Sequence, residues 1–308
     1  MEKTTKTKFI KHWLDSEDRK THRGGVCFAP PPKVAPHNQF NLFTGFDIDR
    51  ITDYDDVIDK MTQAELEDKL SFILQHLTYL SGEDKTSECY DFNLKYFAHL
   101  LKYPAILPRV ALVWTSVAGV GKNQWLNFIE LIMGKQYYYS SANSKELLGD
   151  FNDAIRGKLL LNLNEFKKST DFMEAIKELV TETTISTREK HKNPIRVENC
   201  SRTVITTNSR PQILEFKARR FQVNRCSPYP ASDEMRYEKL YGKQLHENIT
   251  DIFIQKCFLY YCRNYVQITK SYNFETNRVI TDEYLMLRSR NIPIVLRFLR
   301  HWYASFPA

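Results

Sequence analysis

Ser116, Val117, Ala118, Gly119, Val120, Gly121, Lys122, Asn123 and Gln124 set two glycines and a lysine between an apolar run and an amphipathic stretch. The run at 110–114 reads as a buried strand, and Trp125, Phe128, Ile129, Ile132 and Met133 recur at helical spacing until Gly134 stops them. Strand, glycine loop and helix in that order form a phosphate cradle. Main-chain N–H groups of the turn and of the helix start converge on one place, and the helix dipole adds positive character there. Lys122 supplies a point charge. Two positions depart from the usual G-x-x-x-x-G-K-[ST]: Ser116 replaces the first glycine, and Asn123 stands where Ser or Thr faces Mg²⁺. The Asn123 amide oxygen can still face a metal, directly or through water.

Downstream, Asn164 and Glu165 close a second apolar run, KLLLNL at 158–163, where open α/β sheets present groups to a ligand. A carboxylate there can orient or deprotonate an attacking water, and Asn164 occupies the place of an acid that would help hold Mg²⁺. Asn208 closes a third run, RTVITT at 202–207, and its amide can contact a terminal phosphate or the water. Arg219 and Arg220 can stabilise charge that develops on a phosphate, from a neighbouring subunit. Lys190, His191 and Lys192 sit near the tip of an expected hairpin over 183–197, with Asn193-Pro194 at its turn, where positive charge tracks a phosphate backbone. Each has a plainer reading: a solvated strand cap, a turn residue, a basic surface. Asp47 and Asp49 form a D-x-D that reads as a solvated turn rather than a metal pair.

The elements that must position these residues alternate as an α/β fold does. A short opening helix at 9–14 gives way to a proline-rich stretch containing Pro30, Pro31, Pro32 and Pro36. Thr62 and Glu65 make a capping box for a long helix faced with Leu66, Leu70, Ile73, Leu74, Leu77 and Leu80, and a second helix at 91–102 stops before Pro104. After Gly134 come a short strand at 137–140, helices at 144–154 and 171–180, an edge-like strand at 219–225 and a long helix at 250–266. The expected divisions are 1–60, irregular and mixed; 61–105, helical; 106–270, a phosphate-loop domain with a parallel central sheet; and 271–308, a basic extension. In that extension Arg288, Arg290, Arg297 and Arg300 interleave with Ile292, Ile294, Leu296, Phe298 and Trp302, which reads first as a packed amphipathic helix and second as a DNA contact.

The 308 residues carry a formal net charge of +7, which favours a polyanionic partner. Six cysteines without C-x-x-C pairs or histidines at zinc spacing fit reduced thiols, and imply no zinc. No run approaches the roughly 20 apolar residues of a membrane helix, and no apolar signal core follows Met1. The expectation is a protein that is not secreted and has no membrane partner.

Taken in order, the loop at 116–123, Glu165, the basic hairpin at 190–192, Thr207-Asn208 and the Arg219-Arg220 pair resemble the motifs of superfamily 3 helicases. The chain is also similar to the helicase portion of poxvirus-type primase-helicases of large DNA viruses, phages and their satellites. That likeness rests on Trp13-Leu14, on Cys27 to Pro30, on Asn41 to Phe46, on residues 96–104 and on Glu146 to Asn152, and spans roughly residues 8–270. The resemblance implies an AAA+ ATPase fold with a helical collar before it, using ATP and Mg²⁺. It implies a homo-oligomeric ring, usually a hexamer, that unwinds DNA by drawing one strand of single-stranded or forked DNA through its centre. By position, Lys122 binds phosphate, Asn123 and Asn164 lie at the Mg²⁺, and Glu165 activates water and adjoins the metal. Asn208 senses the terminal phosphate, Arg219 or Arg220 acts in trans, and Lys190, His191 and Lys192 grip DNA. A primase or polymerase domain or protein is the implied companion, with the cytoplasm or the replication sites of an infected host cell as the place of work. Two rivals remain: a nucleotide-dependent ring that binds DNA or loads a polymerase without unwinding, and a small-molecule kinase using the same loop, for which the hairpin and the arginine pair have no use.

Overall fold

The computed structural model describes residues 9–19, 21, 24–82, 86–165, 173–208, 219–232, 240–290 and 294–304. Asp171, where a helix was expected to begin, and Ile292 lie outside the described residues. In chain order the elements are α1 (Phe9–Asp15), β1 (Val26–Cys27), β2 (Phe40–Asn41), α2 (Asp55–Ile58), α3 (Gln63–Ser81), α4 (Thr86–Lys102), β3 (Ala111–Thr115) and α5 (Lys122–Met133). They continue with β4 (Tyr138–Ser141), α6 (Ser144–Leu148), β5 (Leu160–Asn164), α7 (Met173–Thr181), β6 (Thr184–Thr187), β7 (Ile195–Glu198), β8 (Arg202–Thr207) and β9 (Phe221–Arg225). Four helices close the chain: α8 (Leu240–Thr250), α9 (Ile252–Asn264), α10 (Asp282–Arg290) and α11 (Ile294–Ala304).

The central sheet has five strands in the order β4-β5-β8-β3-β9, with every pairing parallel. This is the α/β parallel sheet that the apolar runs predict. Alternate residues of each strand face opposite helical layers. Leu112, Trp114, Leu160 and Val204 belong to one core with α3, α4, α5, α8 and α9, whereas Ala111, Val113, Leu161, Leu163 and Ile205 belong to the other, with α6, α7 and α10. Helices α3 and α4 therefore share one core with the sheet. Arg202 of β8, fully buried, ties α4 to the sheet by donating to His99 Nδ1 at 2.6 Å and to Ile106 O at 2.9 Å.

Several expected elements differ in extent, each for a local reason. Strand β9 is at the sheet edge, but Phe221, Gln222, Val223 and Asn224 are all buried rather than alternating. Its polar residues are satisfied: Asn224 Nδ2 donates to Ser81 O at 2.9 Å, and Val279 N donates to Gln222 Oε1 at 2.8 Å. The helix expected at 144–154 stops at Leu148, before Gly149, and resumes only as a 3₁₀ turn at Asp153–Ile155. The helix expected from residue 250 starts at Ile252 because the Asp251 side chain caps it, accepting from Phe253 N at 2.8 Å. Of the C-terminal extension, α10 packs through Tyr284 and Leu287 on β9, while Ile294, Val295, Leu296, Phe298, Leu299 and Trp302 of α11 are exposed, so the packed reading fails for α11.

Asp49 pairs with Arg263 at 2.6 and 2.9 Å, and Asp47 accepts from Gln136 at 3.0 Å, an arrangement of surface pairs rather than a metal pair. All six cysteines are free thiols. Among the described residues no helix is long and apolar enough to cross a membrane.

Candidate nucleotide and nucleic-acid site

The strand order decides which side chains meet. β8 lies between β3 and β5, all three run the same way, and their last residues are in register, Thr115 with Thr207 and Asn164 with Thr206. Ser116, Asn208 and Glu165 therefore emerge side by side at one edge of the sheet. From β3 the chain turns through a loop in which Gly119 (φ 91°) and Gly121 (φ 90°) are left-handed, a conformation that glycine adopts without strain. Gly121 is the N-cap of α5, so the free N–H groups of that helix's first turn open onto the loop. Ser116 needs no such freedom. Its N–H donates to Thr207 O at 3.2 Å and its hydroxyl to Val117 O at 2.7 Å, which is why a serine serves where the usual pattern has glycine.

Lys122 is buried against this loop and donates to Ser116 Oγ and, at 2.9 Å, to Asn208 Oδ1. Burial lowers its pKa, while the Cys226 thiol and the Glu165 carboxylate nearby oppose that shift. Asn208 in turn donates from Nδ2 to Glu165 Oε1 at 2.6 Å. Glu165 is held in a left-handed conformation, φ 52°, with its N–H on Thr206 O at 2.8 Å. A non-glycine residue in that region is uncommon, and such strain gathers at functional positions. Lysine, amide and carboxylate thus form one continuous chain.

Beside them lies an amide cluster. Asn123 Nδ2 is 3.4 Å from Asn164 Oδ1, and Asn162 Nδ2 donates to Ser140 Oγ at 3.1 Å and lies 3.4 Å from Asn123 Oδ1. Thr206 Oγ1 stands 3.0 Å from both Asn162 Oδ1 and Asn164 Oδ1, and its one proton serves one of them at a time. Asn162 escapes the sequence reading because it looks like an interruption of KLLLNL; an amide inside a buried strand is the signal. For Mg²⁺ the cluster offers neutral oxygens and a single carboxylate, Glu165. Among the described residues no group of three or more His, Cys, Asp or Glu could hold a metal. Those donors fit an ion that arrives on a triphosphate and keeps its waters, rather than a resident one.

A cavity of about 250 Å³ adjoins the loop, lined by Thr115, Ser116, Val117, Asn208, Arg225, Cys226, Pro228 and Glu283. Glu283, from α10, is buried, and Thr115 Oγ1 donates to its Oε1 at 3.3 Å. Nothing in the spacing of the extension singles it out.

The hairpin of β6 and β7 is antiparallel, with Thr184 opposite Glu198 and Thr187 opposite Ile195. Lys190, His191 and Lys192 are exposed at its tip, and His191 takes φ 65° to make the turn. Lys192 pairs with Glu189, and Arg188 Nε donates to Lys192 O at 3.1 Å, so these contacts stay within the hairpin. A residue missed by the sequence reading joins them. Asn152 Nδ2 donates to Ser186 O and Arg188 N donates to Asn152 Oδ1, both at 3.1 Å, pinning the loop before the 3₁₀ turn to β6. Phe151, 52% exposed, is presented there with the Arg188 guanidinium 5.6 Å above its ring.

Arg219 and Arg220 are not part of the Lys122 group. Ala111 pairs with Phe221, and Ala111 N donates to Arg220 O at 2.8 Å, which places the pair at the beginning of β9 and the phosphate loop at the end of β3. A five-residue strand separates them, roughly 16 Å. Arg219, largely exposed, pairs with Glu275 at 2.9 Å.

A family described as "Family of unknown function (DUF5906)" matches residues 114–220, from the end of β3 to the start of β9. No curated protein matches the sequence. Among solved structures, the A-form apo structure of the NrS-1 C-terminal region is 17% identical with a TM-score of 0.65, covering 90% of this chain and 62% of that one. A second A-form structure of the same region gives 16% identity and a TM-score of 0.62 over the same shares. The chain thus spans about three fifths of the length of these structures and shares their fold. A structure of JCV helicase with a bound small molecule is 13% identical over 79% of this chain and 72% of that one, with a TM-score of 0.40.

Proposed function

We propose that this protein is an ATP-dependent DNA helicase that draws one strand of single-stranded or forked DNA through an oligomeric ring, of six protomers by the family resemblance. The observation that carries the reading is the chain from Lys122 through Asn208 to Glu165 at the carboxyl edge of a parallel sheet, beside a glycine loop at a helix start. Main-chain N–H groups from Gly119 to Gln124, with Ser116, Val117 and Ala118 forming the near wall, would seat the triphosphate, and Lys122 would leave its two oxygens for the terminal phosphates. Glu165 would then take up or orient the proton of the attacking water, and Asn208 would hold that carboxylate while sensing the terminal phosphate. Asn123, Asn164 and Glu165 would hold Mg²⁺ carried in on ATP, partly through water, and the ion would supply charge neutralisation on the phosphates.

At the start of β9, Arg219 and Arg220 are a strand's length from their own loop, at the opposite end of the parallel strands, which suits a finger offered to the next protomer. Lys190, His191 and Lys192, with Phe151 beside them, offer charge and a stacking ring to a single strand. We read residues 61–105 as the oligomerising collar, and a primase or polymerase as the companion at viral replication sites.

The test is DNA-stimulated ATP hydrolysis. Lys122→Ala and Glu165→Gln should each reduce it to background, and undiminished hydrolysis in both variants would overturn the reading. A second reading, a nucleotide-dependent ring that holds DNA without unwinding it, is favoured by one observation: Asn164, within reach of Asn123, is neutral where a stronger metal site would have an acid. A fork-unwinding assay on the assembled oligomer separates the two.

A further inference from the structure

The carbonyl of Gly121, one residue before Lys122, is held from behind by a histidine. His76 of α3 is fully buried, with Nε2 3.2 Å from Gly121 O and Nδ1 2.7 Å from the Tyr241 hydroxyl of α8. Gly121 O can only accept, so Nε2 carries the proton and Nδ1 accepts from the Tyr241 O–H. One tautomer satisfies both contacts. Burial lowers the His76 pKa to about 4, with the hydrogen bond to Gly121 opposing, and keeps the ring in that neutral form at ordinary pH. The pair is itself fixed: the Tyr241 ring packs on Phe72 at 5.2 Å and on Tyr79 at 6.2 Å. There is no slack at the loop either. A Cβ on Gly121 would overlap the His76 ring and stand 3.3 Å from Leu245 Cδ2.

A trans peptide points its C=O and N–H in opposite directions. Gly121 O also accepts from Trp125 N at 3.1 Å in the first turn of α5, so that helix bond and His76 together fix the carbonyl and aim the Lys122 N–H the other way, at the side of the loop that a phosphate would occupy. We infer that His76, oriented by Tyr241, is a positioning residue of the nucleotide site, presetting the Gly121-Lys122 peptide before the triphosphate arrives. This rests on the nucleotide reading above. It makes α3 and α8 part of the support of the phosphate site.

The experiment is titration with the fluorescent nucleotide MANT-ATP, alongside melting of the nucleotide-free protein and steady-state hydrolysis. His76→Phe, which keeps a ring but loses both contacts, should weaken binding about tenfold, the worth of one hydrogen bond of about 1.4 kcal/mol. Tyr241→Phe should weaken it in the same direction with little change in melting, and His76→Gln, which restores a donor toward Gly121 O, should recover most of the loss. In hydrolysis the effect should fall on KM for ATP more than on kcat. Should His76→Phe fail to fold, Tyr241→Phe decides alone. Wild-type binding by His76→Phe and Tyr241→Phe, or a His76→Gln no better than His76→Phe, overturns the inference provided that Lys122→Ala abolishes binding. If Lys122→Ala also binds normally, the nucleotide reading itself falls.

Discussion

Asn208 donates to Glu165 Oε1 at 2.6 Å, and its amide oxygen accepts from Lys122, so one neutral side chain separates the carboxylate from the cation. Without it, Glu165 would be free to fold onto Lys122, and on the proposed mechanism the attacking water would lose its base. Asn208→Ala should cut single-turnover ATP hydrolysis about 100-fold, the scale of losing one oriented polar group at a reacting centre. Nucleotide affinity should change far less, because Lys122 and the loop N–H groups remain. Equal losses in affinity and turnover would show that Asn208 serves binding alone.

Asn164→Asp would return a negative charge next to Asn123 and Thr206, both already within hydrogen-bonding distance of that oxygen. Because Mg²⁺ is bound through carboxylates, phosphates and water, the added charge should lower the Mg²⁺ concentration at half-maximal hydrolysis, by roughly tenfold for a gain of about 1.4 kcal/mol. An unchanged Mg²⁺ dependence would place the ion away from residue 164.

The parallel sheet was legible because β3 and β5 read as apolar runs, the second broken only by Asn162, and β8 as a β-branched run, RTVITT, each leading into a polar residue of the site. The loop was legible for a related reason: strand, glycines and helix are adjacent in sequence. What stayed hidden depends on distant partners. The double burial of β9 is made possible by Val279, 57 residues away, and by Ser81, on another element. Asn162 acquires meaning only when Thr206 lies beside it, and Glu283 only when α10 docks on β9. His76 sits one residue before Leu77 on the apolar face of α3, where a histidine reads as core until the loop is seen against it.

Phe151 and the hairpin tip should separate in their response to salt. Phe151→Ala removes a stacking surface, and single-stranded DNA affinity should fall by the equivalent of about 1–3 kcal/mol at every salt concentration. Lys190→Ala removes a cation from the hairpin tip, and if it meets a phosphate as proposed the slope of log affinity against log salt should shrink by about 0.7. Fluorescence anisotropy with an oligothymidylate across a salt series reads both. A Phe151→Ala loss that vanishes at high salt would mean that the ring contributes only by supporting Arg188.

Acid should destabilise the fold through its buried histidines, and the sign follows from their surroundings. Burial lowers His76 to about 4 and, with the nearby Arg202 guanidinium, His99 to about 3, both below the unfolded value near 6.5. Above pH 6.5 neither state holds these protons and stability is unaffected. As pH falls from 6.5 toward 4 the unfolded chain takes up a proton at each ring while the folded chain does not, so unfolding gains ground. For His76 the loss amounts to roughly 2 kcal/mol by pH 5 and roughly 3 kcal/mol by pH 4, where that contribution levels off. Urea unfolding at pH 7 and pH 5 measures it, with His76→Phe as the control that should lose correspondingly less on acidification. If wild type and His76→Phe lose the same stability between those pH values, the neutral imidazole seated against Gly121 is the wrong description of this site.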